Sequence, residues 1–544
     1  MDEREHRYIR GSTIVPGVAL ALYFIVCSLV LRPYENLPFI DDWTYAWSVE
    51  QLLKTGELRI TDWSAHYPLA QILWGTIFCL PFGFSFSALR VSTVVLAWLG
   101  ALGFYATLRE LGRPRADSLI ATFVFLVNPV FFILTFSYMT DVPFVSFVNI
   151  AFFFFISGMS RQRESYLWIG SFLAICAFFT RQVAVALPIA LFAYCLVAPS
   201  HRRLAYLLPL GSCLLFLLST PLWISQFFGF TKVYSERLNA TQFWFQVSPL
   251  AYAGFMMRIL LNFGLVLCPL TLPWLFCRYR KRLPWIIIFA LGAIEATLFF
   301  LTSDLPVPLL QRATWSLEEL GPLLMFLGSR FLVPATALPS FLPAWLNYPL
   351  ALISLFSVAV IIAGVFELMI KGRERKQLVF FIYTLCQIGF IFVLWLFHDR
   401  YYLVVLPPLI VLLVSKGLAR PKWIIVGICL FLVVALTGTW DNLQASRAVD
   451  RALSSLRQQD IPMEQIDAGY ALNGWNLYVH PENLPTGVTP NRDVASVTTE
   501  IEKPYVIAVF PLPGYRTVRV VSWSPSFWAA TNKIYILEKV QNGG

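Results

Sequence analysis

The sequence predicts an α-helical polytopic membrane protein carrying a small C-terminal α/β domain on the extracytoplasmic side. Composition is the first sign: of 544 residues 58% are hydrophobic, 16% aromatic and 13% charged, with a mean hydropathy of +0.67, far too apolar for an ordinary soluble chain. The second is that apolar runs long enough to cross a bilayer recur almost to residue 438. The third is the change that follows. Residues 439–544 are polar, with the turn signal "PLPGY" and short β-like runs "YVIAVF", "TVRVVSW" and "KIYILEKV". The expected division is a membrane domain over 1–438 and a soluble domain over 439–544.

The formal net charge of +10 invites a nucleic-acid reading, and the placement of the basic residues excludes it. They cluster in turns between apolar runs: Arg4, Arg7 and Arg10; Arg109, Arg113 and Arg115; Arg161 and Arg163; Arg202 and Arg203; "RYRKR" at 278–282; "KGRERK" at 371–376; and Lys416, Arg420 and Lys422. This is the charge asymmetry of cytoplasmic loops. Successive cytoplasmic clusters must be separated by an even number of spans. The apolar pairs 14–31 and 88–108, 117–134 and 143–159, 165–180 and 183–199, 204–226 and 256–276, 285–302 and 347–369, and 378–397 and 402–415 satisfy that rule. A last span at 422–438 brings the expectation to about 13, with the N-terminus inside and the polar tail outside. The first span lacks a small-residue cleavage site, so it reads as a retained signal anchor.

Between the first two spans, residues 32–87 form a long outer segment. "WTYAWSVEQLLKTG" has helical spacing with aromatic anchors, and "YPLAQILWGTIFCLPFG" is apolar but short; both are expected as interfacial helices. A second outer segment, 304–346, contains "ATWSLEELGPLLMFLGSRF", which is amphipathic. The nine cysteines lie in or beside apolar runs and show neither a disulfide framework nor zinc spacing.

The polar residues of the outer face carry the functional signal. "FIDDWTYAW" places Asp41 and Asp42 at the start of an outer-face helix. One aspartate there serves as an N-cap, whereas two adjacent ones repel and a cap needs one. "SYMTDVPF" puts Asp141 in a short outer turn, where Thr140 or Asp141 with Pro143 also makes a helix start. "HDRYYLVVLPPL" brings His398, Asp399, Arg400, Tyr401 and Tyr402 to a late outer turn, with an ion pair in an aromatic belt as the structural alternative. Arg181, in "FFTRQVAVALP", is also outside by the span count. It serves either an anionic partner or lipid headgroups.

Taken in order, "FIDDWTYAW", "HYPLAQILWG", "SYMTDVPF" and "HDRYYLVVLPPL" resemble the bacterial proteins of glycosyltransferase family 39, which are C-type membrane glycosyltransferases alongside protein O-mannosyltransferases and the lipid A aminoarabinose transferase. The resemblance spans most of the membrane region. It implies the C-type fold, a bacterial inner membrane, and transfer of a sugar from a polyprenyl-phosphate carrier to an acceptor on the outer face. The family's Asp-Glu pair reads Asp41-Asp42 here, its "HPPL" reads His66-Tyr67-Pro68-Leu69, and its outer lysine is replaced by Arg181.

The chemistry needs such a set. A polyprenyl phosphate is already a good leaving group, so its growing charge must be stabilised, and the guanidinium of Arg400 beside Tyr401 suits that role. A carboxylate must take the proton of the attacking hydroxyl, and Asp41 is the candidate base. Asp42 and Asp141 complete the carboxylate group, Arg181 adds a second phosphate contact, and His66 and His398 are further candidates. Carboxylates so close repel unless a cation intervenes. A divalent metal held by Asp41 and Asp141 is therefore an open alternative, whereas no organic cofactor is expected. Expected partners are a lipid-linked sugar donor, an acceptor of unspecified class and membrane lipids. A transporter, a lipid-linked oligosaccharide ligase or polymerase, and a non-catalytic scaffold are the rival functions. A transporter should show internal repeats and mid-membrane charge, whereas this sequence shows no such repeat and its charged residues cluster at one face.

Overall fold

The computed structural model describes residues 14–197, 203–229, 231, 234–235, 248–278, 282–302, 344–371, 376–393, 399–415, 417–484, 503–508, 511–524 and 533–540. Most of the outer segment 304–346, His398 and the cluster Arg4, Arg7 and Arg10 lie outside these residues.

Helices stand where the apolar runs predict them. In chain order they are α1 (Ile14–Leu31), α2 (Asp42–Thr55), α3 (Leu69–Cys79), α4 (Phe86–Glu110), α5 (Arg115–Leu126), α6 (Pro129–Thr135), α7 (Asp141–Arg161), α8 (Glu164–Phe178), α9 (Ala186–Val197), α10 (Arg203–Phe227), α11 (Pro249–Arg278), α12 (Arg282–Thr302), α13 (Asn347–Lys371), α14 (Gln377–Val393), α15 (Leu406–Val414) and α16 (Pro421–Arg457). Among the described residues seven helices, α4, α7, α10, α11, α12, α13 and α16, are individually long and apolar enough to cross a membrane. The chain is an integral membrane protein.

Two expected spans have a form that hydropathy does not convey. The run 117–134 is broken into α5 and α6, bent by 76°. Its cause is local: Asn128 accepts hydrogen bonds from the amides of Val130 and Phe131 at 3.0 and 3.1 Å, with Pro129 in the first turn, which starts a new helix inside the apolar run. The run 402–415 consists of a 3₁₀ stretch, Asp399–Val404, and α15, whose nine residues reach about 14 Å, less than half the hydrocarbon thickness. α15 is buried almost throughout.

Close helix contact sets the spacing of the bundle. A Cβ on Gly100 of α4 would lie 2.6 Å from the Cα of Ser146 in α7, so these two backbones meet where only hydrogen fits, the usual small-residue solution within a membrane.

Among the described residues, contacts between loops gather at two ends of the bundle. At one end Arg161 pairs with Glu110 at 2.6 Å, Lys376 donates to Ser160 at 2.6 Å, and the Arg113 guanidinium donates to the carbonyl of Ser415. At the other end of α4, Phe86 N–H donates to Asn36 and Ser87 to the carbonyl of Tyr34. The 25 residues of α4 separate those ends by roughly 37 Å. α2 and α3, the two helices expected in the outer segment, belong to this second end.

α16 runs without interruption for 37 residues. Its last turns bury Ala445, Ala448, Ala452 and Leu456 against Ile466, Ile507, Ile534 and Ile536, one apolar helix stripe covering one face of a sheet. That sheet comprises β1 (Ile466–Asp467), β2 (Tyr505–Ala508), β3 (Tyr515–Ser522) and β4 (Lys533–Lys539) in the order β1-β2-β4-β3. β1 and β2 are parallel and the other pairs antiparallel. Arg447 fastens α16 to the first outer segment, pairing with Glu35 and donating to the carbonyls of Leu31 and Arg32. Among the described residues no disulfide is formed.

Candidate active site

The adjacent aspartates face in different directions. Asp42, fully buried, accepts from Phe39 N–H at 2.5 Å and from Tyr138 N–H at 3.3 Å. Burial pushes its carboxyl up to about 7, Arg90 and the two amides opposing and Asp41 adding to the shift. Asp41 stands at the N-cap position of α2 without a side-chain cap, so helix capping does not account for its carboxylate. Its side chain keeps 25% exposure. The residue before it, Ile40, has φ of 49°, a left-handed conformation that a β-branched residue adopts only under constraint.

Three other turns at the same end of the bundle converge around Asp41. The 3₁₀ stretch 399–404 brings Arg400, with Nη2 at 3.4 Å from Asp41 Oδ2 and Nε at 4.0 Å from Asp141 Oδ1. Asp141, in the first turn of α7, lies 2.8 Å from Arg181 Nη2. Arg181 in turn donates through Nε to the hydroxyl of Thr140 at 2.9 Å. Tyr401 lies beneath both guanidiniums, its ring centroid 5.1 Å from Arg181 and 5.9 Å from Arg400, a cation–π arrangement. Two carboxylates and two guanidiniums thus share one partly closed space at the end of the bundle that carries α2 and α3. Burial opposes the charge of Arg400, but Asp141, Tyr401, Asp41 and Tyr45 outweigh it and hold the group above the ordinary arginine range.

His66 stacks on Tyr45 at 6.3 Å, beside this group and not within it. The "HYPLAQ" stretch around it is tied into the fold. Tyr67 donates to the carbonyl of Gly229 at 2.7 Å, and Gln71 and Tyr138 exchange side-chain to backbone hydrogen bonds at 2.7 and 2.8 Å.

Among the described residues the donor set is poor for a divalent cation. Among the described residues no three His, Cys, Asp or Glu side chains come together as ligands. The two candidates, Asp41 and Asp141, each already face a guanidinium.

Sequence reasoning missed three residues here. Tyr45, one turn after Asp41, is coupled electrostatically to Asp41, Arg181, Arg400 and Asp141; its i+4 spacing from Asp41 was the available signal. Arg90 donates to the carbonyls of Pro33, Glu35 and Leu37 at 3.3, 2.6 and 2.6 Å and so holds the chain leading into Asp41. An arginine at the outer end of a span, where charge bias predicts none, was its signal. The third is Tyr470 of the tail, whose hydroxyl donates to Asp41 Oδ1 at 2.5 Å and accepts from Trp63 Nε1 at 2.6 Å.

Known proteins match this chain in two ways. Residues 66–225 match the family model of dolichyl-phosphate-mannose-protein mannosyltransferases. Among solved structures, ArnT from Cupriavidus metallidurans bound to undecaprenyl phosphate is similar at 13% identity, over 96% of this chain and 97% of that one, with a TM-score of 0.40. The Archaeoglobus fulgidus oligosaccharyltransferase in complex with Zn and sulfate is similar at 14% identity, over 81% of this chain and 55% of that one, with a TM-score of 0.43. No curated protein matches the sequence. Membrane helices with a charged cluster at one end of the bundle make this an integral membrane protein with one candidate site. The motif resemblance and the match over residues 66–225 point to the same class, the membrane glycosyltransferases.

Proposed function

We propose that the protein transfers a sugar from a polyprenyl-phosphate donor to an acceptor at the outer face of a bacterial cell membrane, inverting the anomeric carbon. The observation that carries this reading is the convergence of Asp41, Asp141, Arg181 and Arg400 from separate outer turns. The family description, which names a dolichyl-phosphate sugar, supports the donor class.

In this mechanism the acceptor hydroxyl oxygen attacks the anomeric carbon while Asp41 takes its proton. The bond from that carbon to the phosphate oxygen breaks, and the polyprenyl phosphate leaves with the electron pair. Arg400 and Arg181 hold the phosphate as its charge grows. Asp141 holds the two guanidiniums apart and aimed, and Asp42 fixes the backbone on which Asp41 stands. The 3.4 Å separation of Arg400 and Asp41 is long for a charge-assisted hydrogen bond, which leaves room for a phosphate oxygen to approach the arginine. No step passes through a metal ion.

The test is label transfer from a panel of polyprenyl-phosphate sugars by membranes containing wild type, Asp41→Asn or Arg400→Ala, with and without chelator. Wild type is expected to transfer label with or without chelator, and both variants to fail while inserting normally. Transfer that survives Asp41→Asn removes Asp41 as the base, and transfer abolished by chelator removes the metal-free mechanism.

A further inference from the structure

The tail touches the catalytic group directly. Trp43 and Trp63 of the first outer segment and Tyr470 and Tyr478 of the tail form one aromatic cluster, with ring centroids 5.5 to 6.1 Å apart. The approach is as close as chemistry allows. A Cβ on Gly474 would lie 2.4 Å from the ring of Trp43. From this cluster Tyr470 reaches Asp41, its hydroxyl between the Trp63 indole and the Asp41 carboxylate.

Proton accounting gives that bridge a direction. An indole N–H can only donate, and a tyrosine hydroxyl carries one proton. With Trp63 donating to the hydroxyl oxygen, the Tyr470 proton points at Asp41 Oδ1. Burial, with the charge of Asp41 adding to it, pushes the Tyr470 hydroxyl well above the ordinary tyrosine range, so the proton stays in place at working pH. With Oδ1 engaged by Tyr470, Oδ2 on the Arg400 side is the oxygen presented to the site.

Building on Asp41 as the base, we propose that Tyr470 is a positioning residue for the transfer reaction: the C-terminal tail supplies the hydrogen bond that orients the Asp41 carboxylate, leaving Oδ2 to take the acceptor proton. Tail docking is then a condition of catalysis and not an accessory to it. Without the hydroxyl the carboxylate rotates, and the productive geometry is populated less often.

Tyr470→Phe keeps the ring and removes the hydroxyl. Initial rates over a range of donor lipid concentrations, with thermal unfolding in parallel, read the effect. The expected result is a kcat about ten- to a hundredfold lower, with KM for the donor and the unfolding midpoint unchanged. Trp63→Phe, which removes the N–H that aims the proton, is expected to lower kcat by a smaller factor. A Tyr470→Phe enzyme with full kcat, where Asp41→Asn is inactive, overturns this inference and leaves the base in place. Full activity in Asp41→Asn overturns the base, and a kcat loss in Tyr470→Phe on that background overturns the inference too, because the hydroxyl then acts elsewhere. A fall in unfolding midpoint that accounts for the lost activity also overturns it.

Discussion

Arg400→Lys keeps the positive charge of the proposed phosphate clamp and removes its shape. The guanidinium spans two carboxylates, with Nη2 at 3.4 Å from Asp41 and Nε at 4.0 Å from Asp141, above the Tyr401 ring. A lysine ammonium is a single point that can approach one carboxylate or the donor phosphate, but cannot hold two of them in a fixed plane. The substitution should forfeit one charge-assisted hydrogen bond to the phosphate, worth about 1.5–3 kcal/mol. At 1.36 kcal/mol per decade, that lowers kcat by about ten- to a hundredfold. Arg400→Ala also leaves Asp41 and Asp141 facing each other without their shared cation, and its loss should reach about a hundred- to a thousandfold. The assay is the initial rate of label transfer at saturating donor, with KM measured separately. An Arg400→Lys enzyme within about twofold of wild type would refute the argument, because charge without geometry would then suffice.

Three further outcomes follow from the same contacts. Burial raises the Asp42 carboxyl from an ordinary 3.8 to about 7, so the folded state binds its proton more tightly than the unfolded chain does. This group's stabilising effect is complete below about pH 4 and is lost as pH rises through about 7. The unfolding midpoint of wild type relative to Asp42→Asn should therefore fall between those pH values, and a flat difference would count against it. His480 pairs with Glu50 of α2 at 3.1 Å and with Glu482 at 2.8 Å; the Glu50 hydrogen bond, with Glu482 helping and burial opposing, raises its pKa. That latch is complete below the ordinary histidine value of 6.5 and loosens as pH climbs through the raised one. Fluorescence of Trp475, whose ring lies 4.7 Å from His480, should report the loosening in wild type and show no such transition in His480→Gln. Finally, Gly474→Val forces a side chain into the Trp43 ring and should cost about 1–3 kcal/mol, read as a lower unfolding midpoint.

How much of this was legible in the sequence depended on the range of the interaction. Hydropathy located the helices because burial in hydrocarbon acts on each segment by itself. The charge clusters assigned the loops to ends, and the contacts of Arg161 with Glu110 and of Lys376 with Ser160 join loops that the clusters had grouped. Asp41, Asp141, Arg181, Arg400 and Tyr401 were readable because polar residues stand out at the outer ends of apolar runs. The bend at Asn128 was hidden, since a cap and a proline inside an apolar run leave mean hydropathy unchanged. Tyr470 was hidden for another reason. Nothing within 439–544 says where the tail docks, although the aromatic density of "GYALNGWNLY" in a polar segment was a sign that it docks on something.

Two adjacent carboxylates at the mouth of a membrane segment are a liability unless they are given different work. Asp42 ties the turn before α2 to Phe39 and Tyr138, and this tether constrains Ile40 in its left-handed conformation. Ile40 is itself buried, so relaxing its backbone would expose an apolar side chain as well as break the Asp42 bonds. The strain, about 1–3 kcal/mol for such a residue, is therefore held on both sides. Its effect is to aim Asp41 into the space shared with Arg400 and to deny it the capping role its position would otherwise offer. One aspartate stays buried so that its neighbour can remain partly exposed and positioned. On the proposed mechanism that division of labour explains why the site needs both.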